Sequence, residues 1–228
     1  MPEILNFFPL TVYVNQLGFS ANERKEMVRL IVGDAEGNTP KTKSKTSAWT
    51  GDVNGFAFLH ERPEFEKLFT AIDQNLNQYL EELGAVSKLV DFYFTRSWGI
   101  VQKKGEKVAF HTHMQSHISA VYYPVVPENS GMLMFDMNPN SNEFIPGLIR
   151  PQHVEKGYIR PSPLLAQNMN IGVREDMLVI FPSKTNHATQ ANTTGQTRVS
   201  ISSDIVCTVK DPTGHEFFLP PLERWRKF

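Results

Sequence analysis

The chain has 228 residues, of which 40% are hydrophobic and 21% charged, so its composition is that of a globular protein and excludes a disordered one. Its 23 basic and 24 acidic residues leave a formal net charge of −1, so we expect neither nucleic acid nor a membrane as a partner. The single cysteine, Cys207, excludes an internal disulfide. Because the first ten residues also lack a basic region ahead of their apolar residues, the sequence predicts a cytoplasmic protein.

The first part of the chain, residues 1–88, predicts helices that support a later β-rich part. Ser20 and Glu23 have the spacing of a capping box, in which each side chain binds a free N–H group of the first helical turn. A second helix begins at Pro63 and ends at Gly84, because its apolar residues recur at intervals of three and four. We expect this helix to pack one face against a sheet.

From residue 89 the pattern changes to short segments that are typical of β-strands, bounded by Gly, Pro, Asn and Ser. The predicted strands are 89–94, 98–102, 118–123, 132–135, 177–181 and 198–206. Many short strands without helices between them indicate an antiparallel sandwich or barrel. We therefore expect one domain over 1–228, mainly β with flanking helices, with its core at 89–210 and a C-terminal tail at 211–228.

Residues 138–170 interrupt this core with five prolines and no periodicity. A connection of this length inside a compact domain is often a lid or a binding loop. A surface insertion without a role is the alternative.

Three histidines form the strongest chemical pattern in the sequence. His111 and His113 are two residues apart, so in extended chain their imidazoles point to the same side. His187 follows a separate apolar strand and can approach them from a distant part of the chain. Because imidazole is a common ligand of first-row divalent metals, the pattern predicts a metal site.

An arginine on another predicted strand adds to this pattern. Arg198 comes eleven residues after His187 and shares one strand face with Ser200. An inward guanidinium is costly without an anionic partner, and it binds a carboxylate through two parallel hydrogen bonds. We expect Arg198 and Ser200 to bind a carboxylate near the metal.

With these residues in place, the chain resembles the iron(II)- and 2-oxoglutarate-dependent oxygenases, in particular small bacterial and phage members related to prolyl hydroxylases. The resemblance covers about residues 94–206 and is carried by Ser97-Trp98, His111-Thr-His113, 119–123, 129–135, 178–183, His187 and 198–202. It implies a double-stranded β-helix (a jelly-roll, cupin-like fold), Fe(II) as cofactor and 2-oxoglutarate as cosubstrate. His111 and His187 would be iron ligands, and Arg198 with Ser200 would bind the distal carboxylate of 2-oxoglutarate. Tyr122 would assist on that carboxylate, with Tyr123 as the alternative.

The chain departs from the wider superfamily at one ligand position, where a carboxylate is usual and this sequence has His113. A neutral imidazole leaves the metal site one unit more positive. We favour His113 as the third ligand. The alternatives are a supporting role for His113, replacement by Asp136, or an inactive site.

The function that this resemblance implies is a 2-oxoglutarate-dependent non-haem iron dioxygenase that hydroxylates a substrate C–H bond and releases succinate and CO2. His111, His113 and His187 would be its catalytic metal ligands. The substrate is a small molecule or a peptidyl group of unknown identity, and the sequence does not decide between a monomer and a homodimer. A non-catalytic jelly-roll that binds a metal or an anion, a degenerate oxygenase and an assembly jelly-roll are the alternatives.

Overall fold

The computed structural model describes residues 10–39, 44–85, 87–136, 142–143, 145, 149–160, 162, 164–214 and 216–227. The N-terminal residues 1–9 and part of the predicted 138–170 insertion lie outside the described residues. The strands are β1 (Tyr13–Gln16), β2 (Trp49–Thr50), β3 (Val90–Gln102), β4 (Ile118–Val125), β5 (Leu133–Asp136), β6 (Asn168–Ile171), β7 (Met177–Pro182), β8 (His187–Thr189) and β9 (Arg198–Val209). The helices are α1 (Ala21–Gly37), α2 (Glu66–Glu82) and α3 (Pro151–Glu155).

Two antiparallel sheets form the core. The larger one has the strand order β1-β7-β4-β9-β3-β2, and the smaller one has the order β6-β5-β8. Apolar side chains of β4, β5 and β7 pack together between the sheets, and the Phe135 and Phe181 rings lie 5.0 Å apart there. The other face of the larger sheet packs against α1 and α2. The expected fold class, mainly β with flanking helices and a double-stranded β-helix, is confirmed.

The alternation of side chains along the central strands decides which residues face the space between the sheets. On β4, Tyr122 belongs to the cluster under the helices, whereas Tyr123 belongs to the cluster between the sheets. This follows because successive residues of a strand point to opposite faces. Val121 and Tyr123 of β4 therefore face the space between the sheets.

The helical predictions are largely confirmed by the structure. Ser20 and Glu23 form the expected capping box at the start of α1. The second helix begins with a 3₁₀ turn at Pro63–Phe65 and continues as α2, with Leu68, Ile72 and Leu76 fully buried. None of the helices in the described part of the chain has both the length and the apolarity that crossing a bilayer requires.

The sequence predicted the long central strands correctly but missed most of the short strands. The two segments predicted at 89–94 and 98–102 are one strand, β3, whose pairing with β9 shifts register between Phe94 and Arg96. Strands β1, β2, β6 and β8 were not predicted, because each has at most four residues and lacks a sustained apolar alternation.

Candidate metal centre

Three histidines from separate parts of the chain meet between the two sheets. Ring centroids lie 4.9 Å apart for His111 and His113, 4.4 Å for His111 and His187, and 5.2 Å for His113 and His187. Each ring offers one nitrogen such that all three nitrogens lie within 4.8 Å of one another. This separation places the three nitrogens where a single ion can contact all of them.

Backbone pairing brings these residues together. His111 and His187 face each other in an antiparallel bridge, and each N–H donates to the other's carbonyl oxygen at 3.0 Å. The N–H of His113 donates to the carbonyl of Ser183 at 3.0 Å. The His-x-His segment is thus paired with residues 183–187, the chain that leads into β8. This pairing brings the side chains of His111 and His113 next to that of His187.

The hydrogen bonds of the rings leave one nitrogen of each available to a metal. Nδ1 of His111 lies 2.8 Å from the carbonyl oxygen of Ala109, and Nδ1 of His187 lies 2.9 Å from that of Thr185. Carbonyl oxygens only accept hydrogen bonds, so these Nδ1 atoms carry the proton and Nε2 keeps its lone pair. Nδ1 of His113 lies 2.6 Å from a carboxylate oxygen of Asp204, which favours the same tautomer.

Burial keeps two of these rings neutral. It lowers the pKa of His187 to about 3, and the positive charge that a protonated His111 would carry lowers it further. Burial also lowers the pKa of His111. Since a metal binds the neutral ring, both side chains are in the ligand form at neutral pH without having to release a proton.

Asp204 contacts the candidate site and was not among the residues predicted from the sequence. It lies on β9, is completely buried, and contacts His113 through Oδ1 while its Oδ2 accepts a hydrogen bond from Gln115. Ser116 also donates to Oδ1, at 3.3 Å. The signal was present, because Asp204 is six residues after Arg198 and therefore shares its strand face.

Asp136, the alternative source of a carboxylate ligand, lies outside the histidine group. Its Oδ2 accepts a hydrogen bond from Asn186 at 2.9 Å. Among the described residues, the group of side chains with ligand atoms close enough to share one ion contains the three histidines only.

The histidines open into a cavity of about 190 Å³ between the sheets. Its wall is largely apolar, and the Trp98 ring stacks on His113 with centroids 5.6 Å apart. The wall also contains Asp52 from a 3₁₀ turn at Asp52–Asn54, together with Ser200 and Tyr123. A small organic molecule therefore has access to the three imidazoles.

Arg198 lies just outside the wall of this cavity. Its side chain is 1% exposed, and its guanidinium carbon lies 5.2 Å from the centre of the Tyr123 ring, which does line the cavity. Nη1 donates to the carbonyl oxygens of Ser130 and Gly131, whereas Nη2 is buried without a hydrogen-bond partner among the described residues. The guanidinium thus has an unused donor next to the cavity.

The expectation for Tyr122 is corrected by the structure. Tyr122 is fully buried on the helix side of the larger sheet, where its hydroxyl donates to Asp176 at 2.9 Å and its ring lies 5.7 Å from that of Phe19. Tyr123 is the tyrosine that faces the cavity and contacts Arg198. The sequence offered both tyrosines for this position and did not decide which of the two faces the cavity.

The donor set fits the expected cofactors. Three neutral imidazoles suit a first-row divalent ion such as Fe(II). The unpartnered Nη2 of Arg198 suits the carboxylate of an organic acid, because a buried guanidinium without an anion is costly. Neither observation depends on the identity of the substrate.

Comparisons with known proteins agree with this chemistry. Residues 96–204 match the family described as "Putative 2OG-Fe(II) oxygenase". No curated protein matches the chain significantly.

Solved structures show the same fold at low sequence identity. The α-ketoglutarate-dependent epimerase SnoN of nogalamycin biosynthesis is similar with a TM-score of 0.59 and 16% identity, covering 91% of this chain and 84% of that one. HygX from Streptomyces hygroscopicus, solved with nickel and 2-oxoglutarate bound, has a TM-score of 0.53 and 14% identity, covering 95% and 86%. A Pseudomonas putida prolyl-4-hydroxylase has a TM-score of 0.51 and 15% identity, covering 86% and 92%.

Proposed function

We propose that this chain, whose residues 96–204 match the family described as "Putative 2OG-Fe(II) oxygenase", holds ferrous iron with His111, His113 and His187 and hydroxylates a C–H bond. When bound, iron and 2-oxoglutarate supply the oxidising chemistry, in which O2, 2-oxoglutarate and R–H give R–OH, succinate and CO2. The protein's own residues hold these groups, orient them and keep water away from them. The observation that carries the proposal is the convergence of three imidazoles whose Nδ1 atoms are already hydrogen-bonded.

We assign the third ligand position to His113 and its compensating negative charge to Asp204. In this chain the nearest carboxylate is not a ligand itself but lies behind one, with Oδ1 of Asp204 2.6 Å from Nδ1 of His113. A carboxylate that accepts the Nδ1 proton fixes the ring orientation and makes Nε2 a stronger donor. Complete burial of Asp204 strengthens this interaction, because no solvent screens it.

The cosubstrate carboxylate is assigned to Arg198, Ser200 and Tyr123. Among the described residues Nη2 of Arg198 has no hydrogen-bond partner, and Ser200 and Tyr123 line the cavity wall. Burial raises the pKa of Tyr123, so its phenol remains a hydrogen-bond donor at neutral pH. An entering carboxylate would accept from these groups and neutralise the buried guanidinium, which supports binding of a diacid in one orientation.

The chain as a whole is proposed to act as one oxygenase domain, with residues 1–88 as helical support, 89–210 as the core and 211–228 as a tail. Packing of α1 and α2 against the larger sheet supports this assignment.

We propose the cytoplasm as its location, since Cys207 is a free thiol. A small-molecule or peptidyl substrate and a homodimer are the further proposals, and light scattering of the purified protein measures the latter.

The test combines cosubstrate binding with turnover. Fe(II) and 2-oxoglutarate are added without oxygen, and we expect a charge-transfer absorbance band; oxygen is then admitted and succinate is measured. The His187→Ala variant is expected to lose both the band and the succinate. His117→Ala is the matched control, because His117 is an exposed histidine of the same segment whose Nδ1 accepts a hydrogen bond from the Cys207 N–H. A band without succinate across the substrate classes tested would identify a non-catalytic binding protein instead.

A further inference from the structure

Asp52 places a carboxylate in the wall of the metal cavity that neither the metal nor the cosubstrate uses. Among the described residues that line the cavity, Asp52 is the one acidic side chain. Its Oδ2 lies 3.4 Å from Nη2 of Arg96, and its Oδ1 is buried without a hydrogen-bond partner among the described residues. The side chain as a whole is 18% exposed.

The backbone holds this carboxylate in place. The N–H of Gly51 donates to the carbonyl of Gly99 at 2.9 Å, directly after the pairing of Thr50 with Ile100 between β2 and β3. The turn is also tightly packed, because a Cβ added at Gly51 would lie 2.9 Å from the carbonyl oxygen of Phe56. Asp52 therefore belongs to a fixed wall of the cavity.

An unpartnered carboxylate oxygen in such a position favours a charged hydrogen-bond donor as its partner. Leaving a buried acceptor unsatisfied costs free energy, and the cost is larger for a charged group. Arg96 compensates only one oxygen, at a long distance, and its guanidinium carbon also lies 5.5 Å from the centre of the Trp98 ring. Because Asp52 lines the cavity, a molecule that enters it would lie against this carboxylate.

We propose that Asp52 binds an ammonium group of the substrate and so makes this protein selective for a cationic substrate. This inference rests on the proposed function, since it concerns the substrate of the same site. The rest of the cavity favours a small aliphatic amine as the substrate, because Ile100, Val108 and Val121 make the wall apolar and the cavity volume is about 190 Å³. A neutral hydroxyl donor would satisfy the hydrogen bond but would add no positive charge beside the Asp52 carboxylate.

The N-terminal segment is thereby given a role in specificity. Asp52 lies outside residues 96–204, which match the family. The residues assigned to iron and cosubstrate binding lie on β4, β8, β9 and the segment before β4. The residue proposed to bind the charged group of the substrate, Asp52, lies in the turn after β2.

The experiment compares two ligands of equal size, n-butylammonium and 1-butanol. Each is titrated anaerobically into the protein loaded with Fe(II) and 2-oxoglutarate, and the shift of the charge-transfer band gives its dissociation constant. For the unmodified chain we expect n-butylammonium to bind at least tenfold more tightly. Equal affinities of the unmodified chain would overturn the inference, and this comparison does not depend on any variant.

Asp52→Asn keeps the shape and removes the charge, and we expect the preference for the ammonium compound to fall to within twofold while 2-oxoglutarate binding is retained. Asp73→Asn, an exposed aspartate on α2, is the matched control and should keep the full preference. A preference that persists in Asp52→Asn would contradict the assignment. Absence of the absorbance band in the unmodified chain would contradict the proposed function, so the two failures are distinguishable.

Discussion

At the scale of single residues, the contact between His113 and Asp204 supplies the negative charge that a ligand carboxylate would otherwise bring to the site. A His-x-His pattern without a carboxylate suggests weak retention of a cation. The distance of 2.6 Å between Nδ1 of His113 and Oδ1 of Asp204 places a negative charge close enough to strengthen that ligand. The candidate metal centre thus consists of three imidazoles, with one carboxylate hydrogen-bonded to the far side of His113.

Replacing Asp204 by asparagine tests this contact, because the amide oxygen still accepts the hydrogen bond but the charge is lost. We expect affinity for Co(II) to fall roughly 10- to 100-fold, the range typical for partners of metal-bound histidines. Competition with a metallochromic chelator measures it. Asp91→Asn, which lies on β3 and pairs with Lys210 near the surface, is the control. An unchanged affinity of the Asp204 variant would mean that Asp204 only fills space.

Arg198 offers a second test at this scale. Arg198→Met keeps most of the side-chain volume and removes the charged donors. We expect the apparent KM for 2-oxoglutarate to rise about tenfold or more, because a hydrogen bond to a charged group contributes about 1.5–3 kcal/mol, while affinity for Co(II) stays the same. Initial rates of succinate formation give the KM, and an unchanged value would assign the arginine another role.

The sequence was sufficient for the histidines and insufficient for their neighbours. His111, His113 and His187 were predicted because spacing within a segment and position after a strand restrict where a side chain can point. Tyr122 was preferred to Tyr123, but Tyr123 is the one that faces the cavity. Strand alternation shows only that the two side chains point to opposite faces of the sheet; which face is covered by the helices depends on tertiary packing. Asp52 could not be predicted, because its approach depends on the pairing of β2 with β3.

At the scale of elements, α1 packs closely over β3 where Gly99 provides the space. A Cβ added at Gly99 would lie 2.4 Å from Cγ2 of Ile31, and Ile31 is only 1% exposed. Gly99 follows Trp98, whose ring stacks on His113 on the opposite face of the sheet. The fit of this helix thus helps to position a wall of the metal cavity.

Gly99→Ala is expected to destabilise the protein by about 1–3 kcal/mol, because the added methyl group overpacks this contact. Urea unfolding measures the change. The same substitution should cost less in an Ile31→Ala background, since that change removes the opposing atoms. Gly33→Ala in α1 is the control, because its Cβ would meet nothing within 4 Å and alanine favours a helix. Equal effects at Gly33 and Gly99 would contradict the packing argument.

The long elements were predictable and the short ones were not. The capping box of α1 and the apolar stripe of α2 carry local signals, and the structure has both. Strand β8 has three residues and forms by pairing with β5, so its existence depends on a partner far away in the sequence. The segment predicted as an insertion contains α3 and most of β6 among its described residues, and local patterns predicted neither.

At the scale of the whole molecule, buried neutral histidines couple stability to pH. Burial lowers the pKa of His60, His111 and His187 below the value of 6.5 that they have in the unfolded chain. Between these values the unfolded chain binds protons that the folded chain excludes, so protonation favours unfolding. Stability is therefore fully present above about pH 6.5 and is lost as the pH falls.

For the metal-free protein we expect the free energy of unfolding to decrease between pH 7 and pH 5, by at most about 1.4 kcal/mol per pH unit for each histidine. Urea unfolding at a series of pH values measures it. His60→Asn should make this dependence shallower, because it removes one of the three groups without touching the metal centre. A free energy that is flat or rises towards pH 5 would show that these rings are not held neutral by burial.

The central claim is that three imidazoles hold one iron ion, and anomalous scattering at the iron absorption edge tests it most directly. Crystals are grown without oxygen in the presence of Fe(II) and 2-oxoglutarate. We predict one strong peak bonded to nitrogens of His111, His113 and His187, with a carboxylate of 2-oxoglutarate directed towards Arg198. A peak bonded to Asp136 in place of His113, or no peak between these three rings, would contradict the account.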